Sequence, residues 1–352
     1  MTGIPTISVD AMGGDLGPQA AVEGIGYALK RWPDRKAKYL LHGDEAQLAP
    51  LLKAHPKVAA VCELRHSDTV VQMTDKPSEA VRRARGSSMW NAIQSVKNEE
   101  AGAVVSSGNT GALMAISKVI LRMKTGVHRP AISANWPTPK GHTVVLDVGA
   151  NVECGATQLV EFAILGEAYH RAVFGGENPS VGLLNVGQEE LKGNDTVRLA
   201  DQLIRTSGLD MAYRGFIEGN DISAGDIDVV VTDGFTGNIA LKTAEGTARL
   251  VAGWVREALT SSLIAKLAAG LLSLGALDRL RQRMDPRYIN GGVLLGLKGI
   301  VVKSHGGADG EGFASALGLA YVMAQSDFMS EIRKNLDKFA EQAQEQDIVA
   351  AL

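Results

Sequence analysis

The sequence predicts an α/β fold with a mostly parallel sheet, and three observations carry that expectation. Short apolar or β-branched runs recur along the chain, each run ends in a glycine-containing turn, and a stretch of helical periodicity follows most turns. Uniformly apolar strands suit a sheet that helices cover on both faces.

Taken in order, Ile7-Ser-Val enters Asp10-Ala-Met-Gly-Gly-Asp15, Tyr39-Leu-Leu enters His42-Gly-Asp44, and Ala103-Val-Val enters Ser106-Ser-Gly-Asn-Thr110-Gly. Thr143-Val-Val-Leu precedes Asp147-Val-Gly-Ala-Asn151, and Val181-Gly-Leu-Leu precedes Asn185-Val-Gly187. Val229-Val-Val precedes Thr232-Asp-Gly-Phe-Thr236-Gly-Asn238, and Gly299-Ile-Val-Val precedes Lys303-Ser-His-Gly-Gly307. Helical patterns are expected over 18–32, 78–98, 111–123, 157–174, 196–207, 238–259 and 314–339. No Ser/Gly/Pro-rich linker divides the chain, so one α/β unit is expected over 1–340, with a short tail at 341–352. A projecting helical tip is expected at about 258–286. There Leu263, Leu267, Leu271, Leu274, Leu277 and Leu280 follow one another at spacings of three or four, with Gly270 and Gly275 as breaks.

Composition narrows the function classes. With 352 residues, 45% of them hydrophobic, and a formal net charge of −3, intrinsic disorder is excluded as the main state. The 36 basic residues are balanced by 39 acidic ones, so no basic coat for nucleic acid is present. The two cysteines, Cys62 and Cys154, form no C-x-x-C pair, which argues against a disulfide scaffold and points to a reducing cytoplasm. The start, from Met1 to Asp10, resembles neither a basic leader nor a signal core, and no apolar run reaches the roughly 18 residues of a membrane span. The 40 glycines follow no repeat, so collagen and linker readings fail.

In open α/β sheets ligands sit beyond the carboxyl ends of the strands. The glycine turns all fall at such ends and are expected to share one edge. Backbone N–H groups there and the helix N-termini behind them favour an anion, so a phosphate-bearing ligand is the first inference. The alternative is that glycine only permits tight strand-to-helix turns. No P-loop and no G-x-G-x-x-G follows a strand. Lys192-Gly-Asn194 and Asn238 with Lys242 bring ammonium and amide donors together, suited to phosphate and to a developing oxyanion; the competing view is solvated surface lysine. Lys303 and His305 stand at the last strand end. Asp10, Asp15, Asp147 and Asp233 either cap helices, hold lysines and amides, or bind a metal, with capping the commoner use. The seven histidines show no metal-ligand spacing, so no metal site is expected, and no G-x-S-x-G elbow or cysteine–histidine pair offers a covalent nucleophile. Chemistry by positioning an anion is what the residue types support.

The wording of five turns goes further. Asp10-Ala-Met-Gly-Gly-Asp15, Ser107-Gly-Asn-Thr-Gly-Ala112, Asp147-Val-Gly-Ala-Asn151, Lys192-Gly-Asn194 and Thr232-Asp-Gly-Phe-Thr-Gly-Asn238 closely resemble the PlsX phosphate acyltransferase family, in order, from about residue 6 to about 335. The resemblance implies a three-layer α/β/α sandwich similar to phosphotransacetylases and isocitrate-type dehydrogenases. It implies transfer of a long fatty acyl group from an acyl-carrier-protein thioester to inorganic phosphate, giving acyl phosphate for phospholipid synthesis. It further implies a cytoplasmic homodimer without metal or nucleotide cofactor, feeding a downstream glycerol-3-phosphate acyltransferase. By that resemblance Lys192 binds phosphate, and Asn238 binds the phosphate or thioester oxygen. Asp10, Gly13, Gly14, Ser107, Asn109, Thr110, Asn151, Asn194, Asp233, Thr236, Gly237 and His305 complete the site. The leucine stripe is then either core or dimer interface, or an amphipathic helix on the inner membrane surface. Arg279, Arg281, Arg283 and Arg287 would meet anionic lipid or the acidic carrier. The rival readings are a non-catalytic acyl-carrier or phosphate-binding regulator, a short-chain acyltransferase using coenzyme A, and a metal-dependent decarboxylating dehydrogenase of the same fold.

Overall fold

The computed structural model describes residues 3–261, 287 and 290–351. The expected tip, with Leu263, Leu267, Leu271 and Leu274, lies outside the described residues, as do Arg279, Arg281 and Arg283. The amino-terminal half runs β1 (Thr6–Asp10), α1 (Gly17–Arg31), β2 (Lys38–Gly43), α2 (Glu45–Ala54), α3 (Pro56–Ala59), β3 (Cys62–His66), α4 (Pro77–Arg83), α5 (Ser88–Lys97), β4 (Ala103–Ser106) and α6 (Thr110–Leu121). Next come β5 (Ala131–Thr138), β6 (Gly141–Leu146), α7 (Ala156–Phe174), β7 (Ser180–Leu184), α8 (Asp195–Thr206), β8 (Ala212–Ile217), α9 (Gly219–Ala224), β9 (Val229–Val231) and α10 (Gly234–Thr260). The chain closes with β10 (Gly292–Leu295), β11 (Ile300–Lys303), α11 (Gly310–Gln325) and α12 (Phe328–Ala351).

The strands form one eleven-stranded sheet in the order β3-β2-β1-β4-β11-β10-β5-β6-β9-β7-β8. Pairing is parallel except around β10, which is antiparallel to β11 and β5, and at the β5–β6 hairpin. Alternation of side chains sends each strand's residues to two cores. Val105, Leu146, Val231 and Val302 face α1, α7 and α11, whereas Val104, Val145, Val230 and Val301 face α5, α6 and α9. Because both faces are covered, the strands are apolar throughout, which is why periodicity found them. The architecture is the expected three-layer α/β/α sandwich.

Two expected helices are each two helices. The 78–98 stretch is interrupted around Gly86, whose φ of +83° suits glycine, so it forms α4 and α5. The 314–339 stretch breaks where Ser326 turns extended after Gln325, and α12 then runs through the expected boundary at 340. The strands β3, β5, β8 and β10 were not expected. β3 (CELRH) is a sheet edge, largely polar, and β8 is the other edge with Gly215 inside it. From residue 247 to 258 α10 is exposed all round, with Leu250 and Trp254 in solvent. No helix of the described residues is long and apolar enough to cross a membrane.

Candidate active site

Each glycine turn lies at a strand's carboxyl end, but the turns do not share one edge. The β5–β6 hairpin reverses the sheet, so β6, β7 and β9 run opposite to β1, β4 and β11. The turns accordingly form two half-sites on opposite edges.

The first half-site joins the ends of β1, β4 and β11. Asp10 is buried, and its Oδ2 accepts from Ser106 Oγ at 2.7 Å. Ser107 Oγ donates to the Gly13 carbonyl at 2.8 Å, and Asp15 N–H donates to the Gly306 carbonyl at 2.8 Å. A Cβ at Gly13 would stand 2.6 Å from Gly108 N, and one at Gly14 would stand 2.7 Å from both Gly306 O and Ser107 Oγ. Gly14 also has φ of +81°. Only glycine lets these three turns interlock. Lys303 Nζ donates to the carbonyls of Ser107 (3.3 Å) and Ser304. Burial pushes its ammonium down to about 8, against the pull of Asp10 and Asp15.

The second half-site joins the ends of β6 and β9 to α10. Its centre is Asp147, fully buried, whose carboxylate accepts from the N–H groups of Ile132, Gly149, Ala150 and Asn151 and from Asn151 Nδ2. Burial raises its pKa, and these five donors favour the charged form. Asn151 also donates to Pro130 O at 2.8 Å, and its carbonyl accepts from Gly234 N–H at 2.7 Å. The start of α10 is thereby pressed onto this turn. A Cβ at Gly237 would fall 2.0 Å from Asp147 O, and one at Gly234 would fall 2.4 Å from Asn151 O. Asn238 Nδ2 donates to Val148 O at 3.2 Å.

α10 links the two half-sites. Asn238, Lys242 and Glu245 are spaced i, i+4, i+7, so they share one face, and seven residues of helix span about 10 Å. At the far end Glu245 Oε1 lies 3.7 Å from His305 Nε2, and its Oε2 accepts from Lys242 Nζ at 2.9 Å. Arg249 approaches the same carboxylate at 4.0 Å. One helix face therefore runs from the Val148 turn to the end of β11, bordered by Lys242, Arg249, His305 and Lys303.

Residues 5–331 match the family described as fatty acid synthesis protein. A phosphate acyltransferase of Maricaulis maris is 89% identical over 351 residues, covering all of both chains. One from Caulobacter vibrioides is 58% identical over 332 residues, 94% of this chain and 91% of that protein. The chain belongs to the phosphate acyltransferase family. Among solved structures it is similar to a phosphotransacetylase from Staphylococcus aureus, with a TM-score of 0.58 and 16% identity over 91% of this chain and 94% of that one. It is also similar to 4-hydroxythreonine-4-phosphate dehydrogenase from Klebsiella pneumoniae, with a TM-score of 0.51 and 16% identity over 93% of this chain and 99% of that one. At such identities the shared property is the fold.

In this acyltransferase several expected site residues act first as structural ties. Asn109 caps α6 by accepting from Ala112 N–H at 2.9 Å, while its Nδ2 donates to Met73 O and Asp75 O. Asp233 caps α10, taking both the N–H and the hydroxyl of Thr236 at 2.8 Å. Asn194 caps α8. Thr110, at the start of α6, is exposed. Lys192 lies on the loop after β7, half exposed, 4.0 Å from Glu189. The loop is held by Asn185 Nδ2, which donates to Lys192 O at 3.2 Å. Among the described residues no bond joins Lys192 to Asn238. Arg287, expected to face lipid or carrier, pairs with Glu311 at 2.8 Å and Asp309 at 3.5 Å. Cys154 sits beside Asp147, but burial pushes its thiol up to about 11, so a thiolate nucleophile is scarce near neutrality. Among the described residues no group of three His, Cys, Asp or Glu side chains could hold a metal. Glu245 and Arg249 escaped the sequence reading, although their spacing from Asn238 and Lys242 placed them on or beside the same helix face.

Proposed function

We propose that this acyltransferase moves a long-chain fatty acyl group from an acyl-carrier-protein thioester to inorganic phosphate. The observation that carries this reading is the α10 face, which runs from the Asn238 amide to the basic groups Lys242, Arg249 and His305 gathered around the Glu245 carboxylate. Acyl transfer to phosphate needs donors at the carbonyl oxygen and positive charge around the nucleophile. A phosphate oxygen attacks the thioester carbon, the C–S bond breaks, and the phosphate proton passes to the departing sulfur. Acyl phosphate and free carrier thiol are the products. Asn238 donates to the developing oxyanion. Lys192, half exposed on its loop and 4.0 Å from Glu189, meets phosphate during attack. Asp10, Gly13, Gly14, Ser107 and His305 line the anion end, whereas Asn109, Asn151, Asn194, Asp233 and Thr236 shape the turns. In the cell the product passes to a glycerol-3-phosphate acyltransferase. Exposed Leu250, Val251, Trp254 and Val255 support association of this helix with a second subunit or with the cytoplasmic membrane surface.

The test is release of carrier thiol from palmitoyl-carrier protein with and without phosphate, with hydroxylamine trapping the acyl product. Phosphate-dependent release with trapped hydroxamate is expected, and Lys192→Ala should lower kcat at least a hundredfold. Release that ignores phosphate would mean a thioesterase and end the proposal.

A further inference from the structure

The first half-site contains groups that the positioning of the turns leaves unused. Asp10 is 2% exposed; burial raises its pKa, while hydrogen bonding from Ser106, Ser88 and the Met12 N–H and the charge of Lys303 favour its ionised form. The backbone N–H groups of Gly13, Gly14, Gly306 and Gly307 meet no acceptor among the described residues. Lys303 presents three N–H donors, two of which go to the carbonyls of Ser107 and Ser304. A partly buried ammonium held to Ser107 O, on the turn against which Gly14 and Gly306 pack, puts positive charge next to those amides, a setting suited to a compact oxyanion.

We infer that Lys303, with the amides of the Gly13–Gly14 and Gly306–Gly307 turns, binds a phosphoryl group, and that Asp10 is a positioning residue for that ammonium. This rests on the proposed acyl transfer, in which phosphoryl chemistry enters twice. The group is either the free phosphate acceptor or the phosphodiester of the carrier's phosphopantetheine arm. Both present tetrahedral oxyanions to the same donors. The charged groups facing Lys303 are Asp10 at the end of β1, Asp15 in the turn after it, and His305 on its own strand end. Glu245 and Lys242 on α10 stand behind His305. Asp15 is exposed at the rim, while Asp10 is enclosed, so Asp10 holds the ammonium from within.

The anion needs the protonated lysine. With the ammonium at about 8, phosphoryl affinity should hold below that pH and weaken above it. Asp10→Asn removes a charge that favours the ammonium, so the same weakening should begin at lower pH. Lys303→Arg keeps the charge beyond pH 10 and should flatten the profile.

The experiment titrates the full chain with inorganic phosphate and, separately, with 4′-phosphopantetheine, alongside thiol-release kinetics using acyl-phosphopantetheine and acyl-pantetheine. Lys303→Met should weaken one of the two ligands at least tenfold, raising the corresponding KM while kcat changes less than threefold. A raised KM for phosphate identifies the acceptor. A raised KM for acyl-phosphopantetheine with none for acyl-pantetheine identifies the arm. Lys303→Arg should restore most of the binding, which a merely structural lysine would not require. Unchanged affinity for both ligands in Lys303→Met, or a pH profile unmoved by Asp10→Asn, would overturn the inference. If wild-type release proves independent of phosphate, the proposed reaction fails instead, and direct binding still decides the role of Lys303.

Discussion

At the scale of single residues, the site depends as much on absent side chains as on present ones. Gly237 lies where a methyl group would collide with the Asp147 carbonyl, a backbone atom that cannot rotate away. Gly237→Ala should therefore push the start of α10 off the 147–151 turn, lowering stability by about 2 kcal/mol and activity more than tenfold. Gly253→Ala, on the same helix with nothing within 4 Å of the added carbon, should stabilise by up to about 1 kcal/mol and leave activity alone. Urea unfolding of both variants beside a thiol-release assay separates the two outcomes. Equal effects at the two positions would refute the packing argument. The motif wording made Gly13, Gly14, Gly237 and Asn238 legible in the sequence. The enclosure of Lys303 was not, because it depends on Ser107, 196 residues away. The five donors on Asp147 are local, but their convergence on one carboxylate depends on a turn geometry that residue types alone do not specify.

At the scale of elements, the β-branched runs of the parallel strands were legible, whereas the polar edge strand β3, the glycine-interrupted edge strand β8 and the two interior strands β5 and β10 with antiparallel neighbours were not. Val229-Val-Val announced itself; Cys62-Glu-Leu-Arg-His66 did not, since an edge strand shows water its polar side chains. The split of the site over two edges was missed for a different reason. Strand direction is set by connections, and the deciding one is the tight hairpin Thr138-Pro-Lys-Gly141, where Gly141 has φ of +140°. That Pro-Lys-Gly turn was the available signal. α10 is the element on which both half-sites depend, and Asp233 is its cap. Asp233→Ala should cost about 1 kcal/mol, and Asp233→Ser should recover most of it. Urea midpoints that do not distinguish Ala from Ser would show that the glycine packing alone anchors the helix.

At the scale of the whole molecule, acid sensitivity follows from histidines that burial pushes down: His142, His170, His305 and, the most enclosed of them, His42. His42, at the end of β2, is 3% exposed, hydrogen-bonds Ser95 Oγ at 3.2 Å through Nε2, and is pushed down to about 4 by burial, with Arg65 adding to the effect. Its folded pKa lies below the unfolded value of about 6.5, so the unfolded chain takes up the proton first. The neutral ring's contribution is complete above pH 6.5 and is lost as pH falls towards 4, amounting to about 2 kcal/mol at pH 5. Denaturant unfolding at pH 7 and pH 5 should show this slope in the wild type, and His42→Asn should reduce it by about that amount; an identical slope in both would assign acid sensitivity elsewhere. The order of the strands bears on how such a molecule is assembled. β10 and β11 stand between β4 and β5, yet they are built from residues 292–303, near the end of the chain. Until that hairpin arrives, the emerging polypeptide carries two separate ribbons, one parallel (β3-β2-β1-β4) and one mixed (β5-β6-β9-β7-β8), each with an unpaired edge at β4 or β5. Synthesis at about 5–20 residues per second leaves β4 waiting roughly ten seconds or more for its neighbour. The last quarter of the chain is thus the keystone of folding, and the interval before it emerges is when the nascent chain most needs protection from self-association.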